Sequence, residues 1–112
     1  MIKLTFTIGT QDKDNKELFY NINAVKEFLA TKLDYATFTE CTGCYKYNDG
    51  TVCYEPSLKV EVIYFDDVNF DDNKILNTIN TISYVCAIFN QESYLFETQI
   101  DKQYSATIVY VK

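Results

Sequence analysis

Histidine, arginine and tryptophan are all missing from this 112-residue chain. Without histidine there is no imidazole to take and return protons near neutral pH. That removes Ser-His-Asp and Cys-His nucleophile systems and histidine ligation of metals. Without arginine there is no bidentate fork for phosphate and no arginine finger. Only one proline is present and 47% of the residues are apolar, which excludes disorder as the resting state. No run approaches the roughly 18 consecutive apolar residues that a membrane span needs. The first nine residues, Met1 to Gly9, alternate polar and apolar, unlike the continuous apolar stretch of a secretory signal. The expected location is therefore cytoplasmic, with the four cysteines reduced.

The residues that are present have a direction. The formal net charge is −6 and the pI is near 4.5, which argues against direct nucleic-acid binding. Lysine, asparagine, isoleucine and tyrosine are abundant while arginine is absent. Those four have AT-rich codons, so the composition points to a low-GC bacterium or one of its phages. For a phage protein the compartment is the host cytoplasm.

Neither a linker nor a repeat interrupts residues 1–112, and a single domain is expected. Residues 2–9 place Ile2, Leu4, Phe6 and Ile8 on one face, the period of a half-buried strand. A polar loop over 10–15 precedes an amphipathic helix predicted from Lys16 to Lys32, striped by Leu18, Phe19, Ile22, Val25, Phe28 and Leu29. Asn15 or Asp14 would cap its start, and Lys32 would favour its end. Residues 35–47 and 51–65 read as a hairpin closed by Asn48-Asp49-Gly50, with a bend near Pro56. Asp71 and Asp72 would cap a second helix, in which Ile75, Ile79, Ile82, Cys86 and Phe89 recur at steps of four and three. Two strand-like runs, 93–100 and 104–111, finish the chain as a hairpin or one bulged strand. The order β-α-β-β-α-β(-β) predicts an α+β, ferredoxin-like fold: an antiparallel sheet with two helices on one face.

Cys41-Thr42-Gly43-Cys44 is a C-x-x-C element, and Cys53 follows across the hairpin turn. One reading is a zinc site formed by Cys41, Cys44 and Cys53, with Gly43 turning two thiolates toward one ion. Three ligands fall short of the usual four, and Cys86, Glu55 or Glu40 would have to complete the set. The simpler reading needs no cofactor and takes the cysteines as small apolar residues, with Gly43 marking a bulge. A thioredoxin-like role requires the motif at a helix N-terminus, and here it lies within a strand.

Acidic residues gather in two places: Asp66, Asp67, Asp71 and Asp72 before the second helix, and Glu40, Glu55 and Glu61 on the central hairpin. The aspartates lack the spacing of a calcium loop. The simpler reading of them is helix capping and a solvated face, and the other is nucleic-acid mimicry or attraction of a basic partner. Ten tyrosines and eight phenylalanines exceed the needs of so small a core. Phe6, Phe19, Phe28, Phe38 and Phe89 are expected inside. Tyr35, Tyr45, Tyr47, Tyr54, Tyr64 and Tyr94 fall in or beside strands, and several should face outward, where tyrosine suits interfaces and self-association.

Phe38-Thr39-Glu40-Cys41-Thr42-Gly43-Cys44-Tyr45, Glu55-Pro56-Ser57-Leu58-Lys59-Val60-Glu61-Val62 and Phe89-Asn90-Gln91-Glu92-Ser93 together resemble small ferredoxin-like proteins of bacteria and phages. The architecture is also similar to trimeric signalling folds of the PII and CutA type. The resemblance implies a fold and transfers no catalytic residue.

The function expected from sequence is a non-enzymatic protein, phage-encoded or from a low-GC bacterium. It would present an acidic, tyrosine-rich surface to a protein partner with a basic face, as an inhibitor of a host defence or nucleic-acid enzyme would. Glu40, Glu55, Asp66, Asp67, Asp71 and Asp72 are the expected contacts, with Tyr45, Tyr47 and Tyr54 as anchors. The alternative is a symmetric oligomer that holds a small ligand such as a nucleotide signal between subunits, using Lys46, Lys59 or Lys74 for phosphate. A homodimer or higher homo-oligomer suits either. An enzyme limited to Asp, Glu, Lys, Tyr or Cys is chemically possible, but no spacing singles one out.

Overall fold

The computed structural model describes residues 1–65 and 72–111. The alternation at the N-terminus produces β1 (Ile2–Gly9), with Leu4, Phe6 and Ile8 all buried on one face. Next come α1 (Ile22–Ala30), β2 (Thr37–Lys46), β3 (Val52–Tyr64), α2 (Asp72–Ile88), β4 (Ser93–Ile100) and β5 (Gln103–Tyr110). The sheet order is β2-β3-β1-β4-β5, and every neighbouring pair is antiparallel. β3 lies between β1 and β2, and β1 between β3 and β4. These are the two interleaved split β-α-β units of the ferredoxin-like fold, with β5 added at one edge.

Val25 and Leu29 from α1 and Ile82, Val85 and Cys86 from α2 pack with Leu4, Phe6, Ile8, Leu58, Val60 and Tyr94 of the sheet. The helices therefore cover one sheet face and leave the other open. The Phe6 ring stacks on Phe96 at 4.9 Å. Gly50 takes the hairpin turn at a φ of 91°, the left-handed region that glycine enters freely. Pro56 sits inside β3 opposite Thr42, one residue beyond the point where β1 stops pairing. There its missing N–H costs no bond to β1. Asn90, with a positive φ of 48°, ends the turn after α2. The last two runs form a hairpin, with Asp101 at a φ of 52°. No helix among the described residues is long and apolar enough to cross a membrane.

The first helix begins six residues later than its periodicity predicts. Side chains in the 12–20 segment compete with helix hydrogen bonding. Asp12 Oδ1 accepts the N–H groups of Asp14 and Asn15 at 2.8 and 2.9 Å. Leu18 N–H returns to the Asn15 carbonyl, and Gln11 bridges to Phe19. Neither Asp14 nor Asn15 caps the helix. Asn21 does, accepting from Asn23 N–H at 2.8 Å. Phe19, expected in the core, is 38% exposed as a result. The capping expected of Asp71 and Asp72 and the positions of Asp66 and Asp67 lie outside the described residues. Asp72 is the first residue of α2.

Candidate functional site

Gly9 ends β1 beside β3, and the chain then turns into the 10–20 loop. On the sheet face away from the helices, the β2–β3 register sets Gly43 opposite Glu55 and Tyr45 opposite Cys53. The Glu55 side chain reaches across to β1. Its Oε2 accepts the backbone N–H groups of Thr10 at 3.1 Å and Gln11 at 2.7 Å. A Cβ at position 9 would come within 2.5 Å of this carboxylate, so glycine leaves the space that Glu55 fills. Thr10 closes the corner by donating its hydroxyl to the Pro56 carbonyl at 2.7 Å.

Gln11 joins the parts of the site. Its carboxamide donates to the Lys16 carbonyl at 2.7 Å and to the Tyr47 hydroxyl at 3.3 Å, and its Oε1 accepts from the Tyr45 hydroxyl. The Cys53 thiol lies 3.9 Å from the same amide nitrogen. The Tyr45 and Tyr47 rings meet edge-on, with centroids 5.3 Å apart. Burial pushes the Tyr45 hydroxyl above the usual tyrosine range, and hydrogen bonding to Cys53 and Tyr47 pushes it further. Tyr45 therefore remains a protonated donor.

From the far side comes Gln91, buried after α2, which donates to the Gln11 carbonyl at 3.1 Å and to the Phe89 carbonyl at 2.9 Å. Asn90 donates to Asp12 Oδ2 at 2.9 Å and to Asp14 Oδ2 at 3.0 Å. Asp12 is buried and also accepts from the Tyr20 hydroxyl at 2.6 Å. The bond from Tyr20, then that from Asn90, hold its carboxyl far below the usual aspartate range. The 10–20 loop is thus fixed to the end of α2 on one side and to β3 on the other. Between them is a polar concavity of about 270 Å³, lined by Gly9, Gln11, Lys13, Lys16, Tyr45, Glu55, Gln91, Glu92 and Ser93. Two carboxylates and two ammonium groups face one small space. Oε2 of Glu55 is occupied by backbone N–H groups, while Oε1 accepts no hydrogen bond among the described residues.

A larger cavity, about 660 Å³, lies at the opposite end of the sheet, where Tyr35, Tyr64 and Phe65 meet Lys32 and Lys74. Its Tyr64 and Thr78 hydroxyls bond each other at 2.6 Å. Asp34 and Asn77 also line it, but among the described residues no carboxylate there is held by backbone N–H groups as Glu55 is.

Of the residues singled out from sequence, Glu55, Tyr45 and Tyr47 come together here, with Cys53 at the edge. Glu40 is elsewhere: it lies opposite Leu58, toward the helix layer, 3.9 Å from Lys26 of α1. Glu61 pairs with Lys3 at 3.1 Å on the open face. Tyr54 is 67% exposed and points away from Glu55, as neighbours on a strand must. The Cys41–Cys44–Cys53 zinc set does not converge. Cys41 and Cys44 are an odd number of strand positions apart and face opposite sides, all four thiols are free, and no metal-ligating cluster occurs among the described residues. Gly9 closes the predicted first strand, Gln11 and Asp12 fall in the predicted polar loop and Gln91 at the predicted end of the second helix, and none is singled out from sequence as a site residue. The available clue was a glycine closing a strand, which marks a close approach.

No protein-family model matches the sequence. No curated protein matches it either. Solved structures do match the fold. A phage SAM lyase in complex with S-methyl-5'-thioadenosine superposes with a TM-score of 0.70 and 19% identity, covering 97% of this chain and 88% of that chain. A phage SAM lyase in the apo state gives 0.69 and 18%, covering 99% and 90%. The compact α+β architecture expected of a small phage protein is thus shared with a phage enzyme. The likeness corrects the expectation of a non-enzymatic protein-binding surface, because nearly the whole chain takes the fold of a lyase. The absences of histidine and arginine bear on catalysis only in part. They exclude only the chemistries that need those side chains, and acid, amide and phenol groups remain.

Proposed function

We propose that this chain is a lyase acting on SAM, S-adenosylmethionine, with its site in the concavity around Glu55. The observation that carries the reading is the Glu55 carboxylate, held by two backbone N–H groups in a concavity that Tyr45 also lines, in a chain with the SAM lyase fold. SAM carries a sulfonium and an ammonium, and both charges suit a carboxylate and the faces of tyrosine rings. The adenine is a flat group for which Tyr45 and Tyr47 supply aromatic surface.

Cleavage toward S-methyl-5'-thioadenosine passes the electron pair of one C–S bond to sulfur, and the sulfonium becomes a neutral thioether. Neither water nor an oxidant is consumed. The remaining four-carbon fragment balances by closing on its own carboxylate or by losing a carbon-bound proton to a base. Positioning does most of the work in the first route, because the leaving group is already cationic. In the second, the open Oε1 of Glu55 is the candidate base. Both need a fixed substrate, and the loop anchored by Asp12, Asn90 and Gln91 provides a rigid wall.

Consumption of SAM would deprive methyl-transferring enzymes of their donor. A phage protein placed in the host cytoplasm could oppose SAM-dependent defences this way, without contacting the defence enzyme. The test is incubation of the purified chain with SAM, with products separated by chromatography and identified by proton NMR. S-methyl-5'-thioadenosine and one four-carbon product in equal amounts are expected, with a ring or a double bond reporting the route. Intact SAM after prolonged incubation would refute the reading.

A further inference from the structure

Lys13 and Lys16 line the concavity from the 10–20 loop, and neither forms an ion pair among the described residues. Lys3 and Lys26, by contrast, are each paired with a glutamate. The backbone holds both free lysines in place: Lys13 N–H donates to the Asn90 carbonyl at 3.0 Å, and the Lys16 carbonyl accepts the Gln11 carboxamide at 2.7 Å. Glu55 and Glu92 line the same space. The pocket therefore carries two negative and two positive side chains.

SAM has the complementary arrangement, with a sulfonium, an ammonium and one carboxylate. The thioadenosine product has no charge. Resting on the SAM reading above, we infer that Lys13 and Lys16 bind the carboxylate of the substrate's amino-acid end, while Glu55 and Glu92 take the cations. The lysines are specificity-determining residues: they let the site retain the charged substrate and release the neutral product. Substrate binding should weaken with salt and product binding should not, since only the former makes ion pairs.

The experiment measures the KM for SAM under initial-rate conditions and the inhibition constant of S-methyl-5'-thioadenosine, as the two affinities, for the wild-type chain and the Lys13→Ala/Lys16→Ala variant. SAM affinity is expected to fall about tenfold or more in the variant, the loss of one charge-assisted contact. Affinity for the thioadenosine should stay within about twofold, which also reports an intact fold. Unchanged SAM affinity in the variant would overturn the inference and leave the lyase reading standing. Equal loss for both ligands would overturn it too, since the lysines would then only shape the loop. Failure of the wild-type chain to cleave SAM at all would refute both.

Discussion

The carboxylate of Glu55 occupies the volume that a Cβ on residue 9 would fill, 2.5 Å from its Oε2. Gly9 is thus a condition for the position of Glu55, although 46 residues separate them. The obstacle to a larger residue is the far end of a flexible side chain rather than backbone. Gly9→Ala should therefore keep the fold, with stability changed by less than about 1 kcal/mol. SAM cleavage should fall about 10²-fold, because Glu55 moves from its two N–H donors. Melting and turnover measured on the same preparation check this, and full activity in the variant would remove Gly9 from the account.

Asp12 is buried with four neutral donors and, among the described residues, no cation. Its folded pKa lies below the unfolded value, so its contribution is complete above about pH 4 and is lost as pH falls through the folded value. The melting temperature of the wild-type chain should drop between about pH 4 and pH 2. Asp12→Asn should be less stable at pH 7 and flatter across the acid range, because the asparagine has no charge to lose and its amide faces the donor of Asn90. Parallel acid slopes would show that Asp12 is not the group responsible.

Which parts of this were legible in advance follows from the range of the interactions. Strand alternation in β1, the Asn48-Asp49-Gly50 turn and the Ile75–Phe89 stripe are local patterns, and each gave its element. The start of α1 was misplaced because Asp12, Asn15 and Asn21 compete for backbone N–H groups that periodicity ignores. Glu55, Tyr45 and Tyr47 drew notice as charge and aromatic surplus. Their partners Gln11 and Gln91 meet across 80 residues through an uncharged amide, and composition carries no trace of that. The aspartates at 66, 67 and 71, prominent in sequence, fall outside the described residues.

Thr7 Oγ1, in β1, is buried without a hydrogen-bond partner among the described residues. An unpaired buried hydroxyl costs stability, and valine has nearly its shape and suits a strand. Thr7→Val should stabilise the chain by about 1 kcal/mol in denaturant unfolding. A loss of similar size would mean that the hydroxyl bonds another group in solution.

Burial within the α2 stripe pushes the Cys86 thiol up to about 12. It should resist thiol reagents in the folded chain, whereas exposed Cys44 should react quickly. A colorimetric thiol titration with and without denaturant, followed by peptide mapping, checks this. Rapid labelling of Cys86 under native conditions would contradict the packing of α2 on the sheet.

The most direct measurement is the rate of S-methyl-5'-thioadenosine release from SAM by the wild-type chain and by Glu55→Gln. Glutamine keeps the size of the side chain and an acceptor for the Thr10 and Gln11 N–H groups, and replaces the open oxygen and its charge with a neutral amide nitrogen. The account predicts turnover by the wild-type chain and a fall in kcat/KM of about 10²- to 10³-fold in the variant at unchanged melting temperature. Equal rates for the two proteins, or no release by either, would contradict it.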